Sequence, residues 1–166
     1  MKVYIPLLVL IVSVIALTEI IVHALLWLPL ARSSWMVWMQ VFMGVRFFLF
    51  AMVKFFDLPW FVRSFKLYNL ASVIPGYAWL FPCIEMALGI AYLVDIQMQY
   101  AVLINGVAFV VIAEVLISLL YTLVIRQQKP HCACMGMSAE MSVGAVTVIE
   151  NVVMLVMIVS MIWGML

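Results

Sequence analysis

The sequence predicts an all-α integral membrane protein, a transmembrane bundle of five spans. Two observations carry this. Seventy per cent of the 166 residues are apolar and 9% are charged, with a mean hydropathy of +1.33, well above the range of soluble domains. The apolar residues also fall in runs of about 20, the length a helix needs to cross the hydrocarbon core, separated by short polar breaks. The net charge of +1 leaves no basic patch for nucleic acid. The bilayer is the partner the composition demands.

The first span covers residues 3–30 and ends in Leu28-Pro29-Leu30-Ala31-Arg32-Ser33-Ser34, where a proline breaks the helix. Lys2 before a long apolar run resembles a signal peptide, but the run is too long and no small-residue cleavage site follows, so it reads as an uncleaved anchor. The second span, 35–56, is apolar or aromatic apart from Gln40, Arg46 and Lys54. Residues 57–75 mix Trp60, Phe61, Phe65 and Tyr68 with Arg63 and Lys66, a pattern for an amphipathic stretch at the headgroups, closed by Pro75-Gly76. Spans three, four and five follow at 77–94, 99–125 and 142–166. Residues 1–34 thus form an N-terminal helix and linker, and 35–166 a four-helix membrane domain with interfacial segment 57–75 and a cysteine loop at 126–141.

Basic residues near span ends stay on the cytoplasmic side. With five spans, Lys2, Lys54, Arg63, Lys66, Arg126 and Lys129 fall on one side, Arg32 falls near the other, and Arg46 lies inside a span. Removing the second span would put Arg126 and Lys129 opposite Lys54, Arg63 and Lys66. The charge pattern therefore favours five spans with a cytoplasmic N-terminus and cysteine loop and an external C-terminus, as in a bacterial inner membrane.

Ionisable groups at membrane depth are expensive and face the bundle interior or a cavity. Arg46, Glu85, Glu114 and Glu150 lie roughly 8 to 11 residues from the cytoplasmic ends of their spans, about 12 to 17 Å deep at a rise of about 1.5 Å per residue. They can share one layer. One arginine cannot neutralise three carboxylates, so convergence predicts a protonated, proton-accepting glutamate; the alternative is one structural pair with the other carboxylates on backbone groups or at the interface. Glu19 and His23, four apart on span one, form a second polar pair that can satisfy itself.

The densest chemistry is His131-Cys132-Ala133-Cys134-Met135-Gly136. Thiols separated by one residue close only a small, strained disulfide ring, which makes the pair an oxidant. With His131, Met135 and Met137 beside them, Cys132 and Cys134 equally suit a thiophilic ion such as Cu(I); structural zinc wants four ligands, and the loop offers two thiolates and one imidazole. Cys83, after Pro82 in span three, is placed to serve as a resolving thiol or inner ligand, or as a small packed residue. Met154, Met157, Met161 and Met165 repeat at helical spacing and read as packing.

In order along the chain, Phe42-Met43-Gly44 to Lys54-Phe55-Phe56, Phe61-Val62-Arg63-Ser64-Phe65-Lys66-Leu67-Tyr68, Pro75-Gly76-Tyr77-Ala78 and Phe81-Pro82-Cys83-Ile84-Glu85-Met86-Ala87-Leu88-Gly89 resemble the first two spans of DoxX-like and MauE-like membrane proteins. Cys132-Ala133-Cys134-Met135-Gly136 resembles that family's Cys-x-Cys-x-Gly loop. The resemblance implies a DoxX-like four-helix bundle over residues 35–166 with span one added. It further implies a redox-associated helper in the maturation of disulfide-rich exported proteins, beside a thioredoxin-like partner, with relatives that suggest heavy-metal handling. Three functions stay open: thiol-disulfide electron handling, soft-metal binding or transport with Glu85 and Glu114 lining a path, and a structural subunit. No Ser-His-Asp set, phosphate loop or zincin motif supports hydrolysis.

Overall fold

The computed structural model describes residues 5–25, 34–95, 99–125 and 145–164, and every regular element among them is helical. In chain order these are α1 (Ile5–Leu25), α2 (Ser34–Phe56), α3 (Leu58–Tyr68), a 3-10 turn (Leu70–Val73), α4 (Tyr77–Val94), α5 (Ala101–Leu120) running into a π-helical turn (Tyr121–Ile125), and α6 (Ala145–Trp163). Among the described residues, three segments are long and apolar enough to cross a membrane by length and composition: Trp35–Phe56, Tyr77–Val94 and Ala101–Ile125. The first two match the limits read from the hydropathy, and the third begins two residues later. α1 and α6 are apolar throughout apart from a few polar side chains. The cysteine loop, with His131, Cys132, Cys134, Met135 and Met137, lies outside the described residues.

Burial is inverted relative to a soluble protein. Val12, Ile20, Leu103, Val110, Ile117 and Val156 stand on the outer surface, while Gln40, Lys54, Glu85 and Asn105 are buried. A surface so apolar suits lipid, where backbone groups must be satisfied within the helices themselves. The protein is an integral membrane protein.

Cross-helix contacts set the packing order. Gly44 lies against Leu93 and Gly89 against Phe48, so α2 and α4 run antiparallel. Tyr92 reaches Asn105 and Tyr77 reaches Glu114, which makes α5 antiparallel to α4. Arg46 meets Glu150, and Met36 lies beside Gly164, so α6 is antiparallel to α2. The end of α5 and the start of α6 therefore lie at the end of the bundle that also holds the end of α2, α3 and the start of α4.

Glycine sets the closest crossing. A Cβ on Gly89 would fall 2.7 Å from the backbone nitrogen of Phe48, so only a hydrogen there lets the two backbones approach, the usual device in membrane bundles. Gly76, at φ 87°, precedes α4 in the left-handed conformation that glycine adopts without a side-chain penalty.

Segment 57–75, read as lying at the headgroups, folds as α3 and the 3-10 turn with its apolar face on protein. Phe61 and Phe65 pack with Ala78, Phe81 and Leu119, while Arg63 and Lys66 are exposed. The main core gathers Met39, Met43, Phe47, Leu88, Tyr92, Ile112, Met154, Ile158 and Met161 from four helices. Met154, Met157 and Met161 of α6 are thus packing groups, as flexible thioethers commonly are, and Met165 lies outside the described residues.

Candidate functional site

The site grows from one face of α2. Arg46, Phe50 and Lys54 are spaced i, i+4 and i+8, so they form a stripe along one side of the helix. α4 brings Glu85 to this stripe and α6 brings Glu150. Arg46 Nη2 lies 2.8 Å from Glu150 Oε1, and Arg46 Nε donates to the same oxygen at 3.2 Å. Eight residues on, Lys54 Nζ donates to Glu85 Oε2.

Each cation has a second partner. The Arg46 guanidinium carbon lies 4.6 Å from the centre of the Phe50 ring. Lys54 Nζ lies 5.3 Å from the centre of Phe61 and 4.9 Å from that of Phe81, cation–π distances that favour a charged head in an apolar cage. Lys54 is only 5% exposed. Phe61 belongs to α3, so α3 covers the end of α2 and closes the cage.

The two ion pairs line a common chamber of about 50 Å³, room enough for water among polar groups. Thr147 and Asn151 of α6 add polar character, and the rest of the wall is apolar, with Phe47 and Val111 among its residues. A groove of about 260 Å³ lies between α1 and α6, walled by Ile11, Val14, Val153 and Met154 and floored by Phe42, Arg46 and Phe50. Arg46–Glu150 borders both spaces.

Of the four residues proposed to share a layer, Arg46, Glu85 and Glu150 line the chamber and Glu114 does not. Glu114 sits on another face of α5. Its Oε2 accepts from Asn69 Nδ2 at 3.2 Å and Tyr77 Oη at 3.3 Å, and its Oε1 from Ser118 Oγ at 3.0 Å. It opens on a shallow outer groove with Ala71, Phe109 and Ala113. Convergence of three glutamates on Arg46 is therefore corrected: Arg46 holds Glu150, Glu85 is held by Lys54, and Glu114 by neutral donors. The separation follows from helix rotation, which turns the face of α5 bearing Val111, Val115 and Leu119 to the chamber.

Lys54 is the residue that sequence reasoning missed. Near the end of its span it reads as a cytoplasmic flank charge, yet its four-carbon stem turns inward to Glu85. The i+8 spacing from Arg46 was the available signal. Ser118, one turn from Glu114 on α5, carried the same kind of signal, whereas Asn69 and Tyr77 come from a loop and another helix and carried none.

Among the other candidates, Glu19 accepts from Trp38 Nε1 at 2.8 Å, and His23 is exposed one turn on. Cys83 is exposed, its Sγ 3.9 Å from the Trp79 carbonyl oxygen. Being two residues from buried Glu85, it points away from the chamber. At the other end of the bundle, buried Gln40 donates to the Tyr92 and Asp95 carbonyls, and Tyr92 Oη donates to Asn105 Oδ1 at 2.7 Å. Among the described residues, no three His, Cys, Asp or Glu side chains are grouped to hold a metal ion.

The arrangement is thus a small polar chamber with two balanced ion pairs in an apolar bundle. No curated protein and no solved structure matches the chain. The sequence profile of one family, described as methylamine utilisation protein MauE, matches residues 32–164, from the linker before α2 through α6 and so across every residue of the chamber. The chain belongs to the MauE family of membrane proteins.

Proposed function

We propose that the protein is a thiol-redox helper of the bacterial inner membrane, with α1 and α6 also crossing to make five spans and the cysteine loop on the cytoplasmic side. At about 1.5 Å per residue, the 21 residues of α1 and 19 of α6 are each close to the thickness of the hydrocarbon core. The observation that carries the function is the Cys132-Ala133-Cys134 pair in a chain of this family. In the reaction, a thiolate of a thioredoxin-like partner attacks the Cys132–Cys134 disulfide. A mixed disulfide forms, the partner's second thiolate resolves it, and two electrons and two protons come to rest on Cys132 and Cys134 as thiols. The reverse exchange oxidises the pair. Cys83 stands on the outer surface of α4 and would enter such an exchange only where the cysteine loop reaches it.

Thiol trapping followed by mass measurement tests this. The oxidised fraction of Cys132 and Cys134 is expected to change when the thioredoxin-like partner is deleted, and Cys132→Ser or Cys134→Ser is expected to abolish it. Cys83→Ser separates a relay from a bystander. A pair that stays fully reduced under oxidant, with or without the partner, ends the redox reading. A second reading rests on the donors beside the pair: His131, Met135 and Met137 with the two thiolates would hold one thiophilic ion such as Cu(I). Loss of that stoichiometry in the double Cys→Ser variant, with a smaller effect of His131→Ala, would support it.

A further inference from the structure

We propose that the chamber between the two ion pairs is a proton-binding site, in which one excess proton is held by Glu85 and Glu150. The inference does not rest on thiol chemistry. Each cation contacts one oxygen of its glutamate: Glu150 Oε1 takes both bonds from Arg46, and Glu85 Oε2 takes the bond from Lys54. Glu150 Oε2 and Glu85 Oε1 have no hydrogen-bond donor among the described residues, and both glutamates line the same chamber. A chamber with room for water offers those two oxygens one shared proton source.

The aromatic rings make an added proton tolerable. Protonating one partner of a buried ion pair ordinarily leaves the other charge uncompensated, and that is costly. Here Arg46 keeps the face of Phe50, and Lys54 keeps the faces of Phe61 and Phe81. The protonated glutamic acid can still accept from its cation through the carbonyl oxygen while its O–H turns to the chamber. The proton binds a carboxylate lone pair, so no electron is transferred and no co-reactant is required.

The charged groups around the site are few. α2 contributes Arg46 and Lys54, α4 contributes Glu85 and the Tyr77 hydroxyl, which feels the charge of Glu85 and donates to Glu114, and α6 contributes Glu150, whereas the chamber walls from α3 and α5 are apolar, formed by Phe65, Val111, Ile112, Val115 and Leu119. Arginine stays charged at any accessible pH. The two carboxylates are the proton acceptors, with Thr147 and Asn151 beside them.

Infrared difference spectra of the full chain in lipid nanodiscs, recorded across a pH titration in light and heavy water, test the proposal. Carboxylic-acid carbonyl bands that appear on acidification and shift in heavy water are expected in the wild type, and the component due to Glu85 and Glu150 is expected to persist in Glu114→Gln and Glu19→Gln, each of which removes only its own contribution. The midpoint of that component is expected to move by about one pH unit or more in Glu85→Gln and in Glu150→Gln, since both carboxylates line the same chamber. Phe81→Leu keeps every charge and removes a ring from Lys54; it is expected to shift the midpoint too, which keeps the test open should a glutamate variant fail to fold. A titrating band that stays unmoved in the two glutamate variants, or that disappears altogether in Glu114→Gln, would overturn the proposal. So would the absence of a titrating band from the wild type.

Discussion

At the scale of single residues, the decisive one is Lys54. Its ammonium lies in an aromatic cage with one carboxylate, where the energetics of buried charge apply. Removing one partner of such a pair leaves the other unpaired in low dielectric, whereas replacing both by apolar side chains removes the problem. Lys54→Met is therefore expected to destabilise the bundle by about 3–5 kcal/mol, and Lys54→Met with Glu85→Leu to recover most of that loss. Unfolding titrations in detergent measure both. Equal destabilisation by the single and double variants would mean that the ion pair itself is the stabilising element. Glu19, on the outer surface of α1 with Trp38 as donor, lies apart from the chamber and serves as the comparison.

Among the elements, α2 and α4 form the axis on which the site is built, and their glycines set the spacing. A Cβ at Gly89 meets the backbone of Phe48, which cannot turn aside as a side-chain end can. Gly89→Ala should push the helices apart, costing about 1–3 kcal/mol and loosening the Lys54–Glu85 contact with them. Gly106 of α5 faces open space, with no atom within 4 Å of an added Cβ. Gly106→Ala should instead raise stability by up to about 1 kcal/mol through the better helix propensity of alanine. Thermal melts of the two variants side by side check the contrast, and equal effects would mean that the crossing tolerates a methyl group. α3 acts at the same scale: its apolar face is buried against α4 and α5, and Phe61 completes the lysine cage.

For the whole molecule the open quantity is orientation, which decides the redox compartment of Cys132 and Cys134. Lys54 no longer belongs among the flank charges, and Arg63 and Lys66 are exposed on α3; on the five-span reading proposed above, Lys2, Arg126 and Lys129, which lie outside the described residues, would sort to the same side as those two. A membrane-impermeant maleimide is accordingly expected to label Cys132 and Cys134 only after the cytoplasmic face is opened. Labelling of those two cysteines in intact cells would reverse the orientation and place them where disulfides persist.

The sequence by itself determined that this is a helical membrane protein, and it located the spans 35–56 and 77–94 at their observed limits. Hydropathy and helical length are local, summed along the chain, and need no partner to be read. The same locality identified Arg46, Glu85, Glu114 and Glu150 as groups that must find partners at membrane depth. Only the tertiary structure decided which partners they find. That choice depends on the rotation of each helix about its axis and on the close crossing at Gly44 and Gly89, neither of which a linear count contains. A lysine near a span end reads as a flank charge until a neighbouring segment covers it. When α3 folds back over α2, Phe61 and Phe81 enclose the ammonium, Glu85 becomes its counter-charge, and Glu114 is left to Asn69, Tyr77 and Ser118.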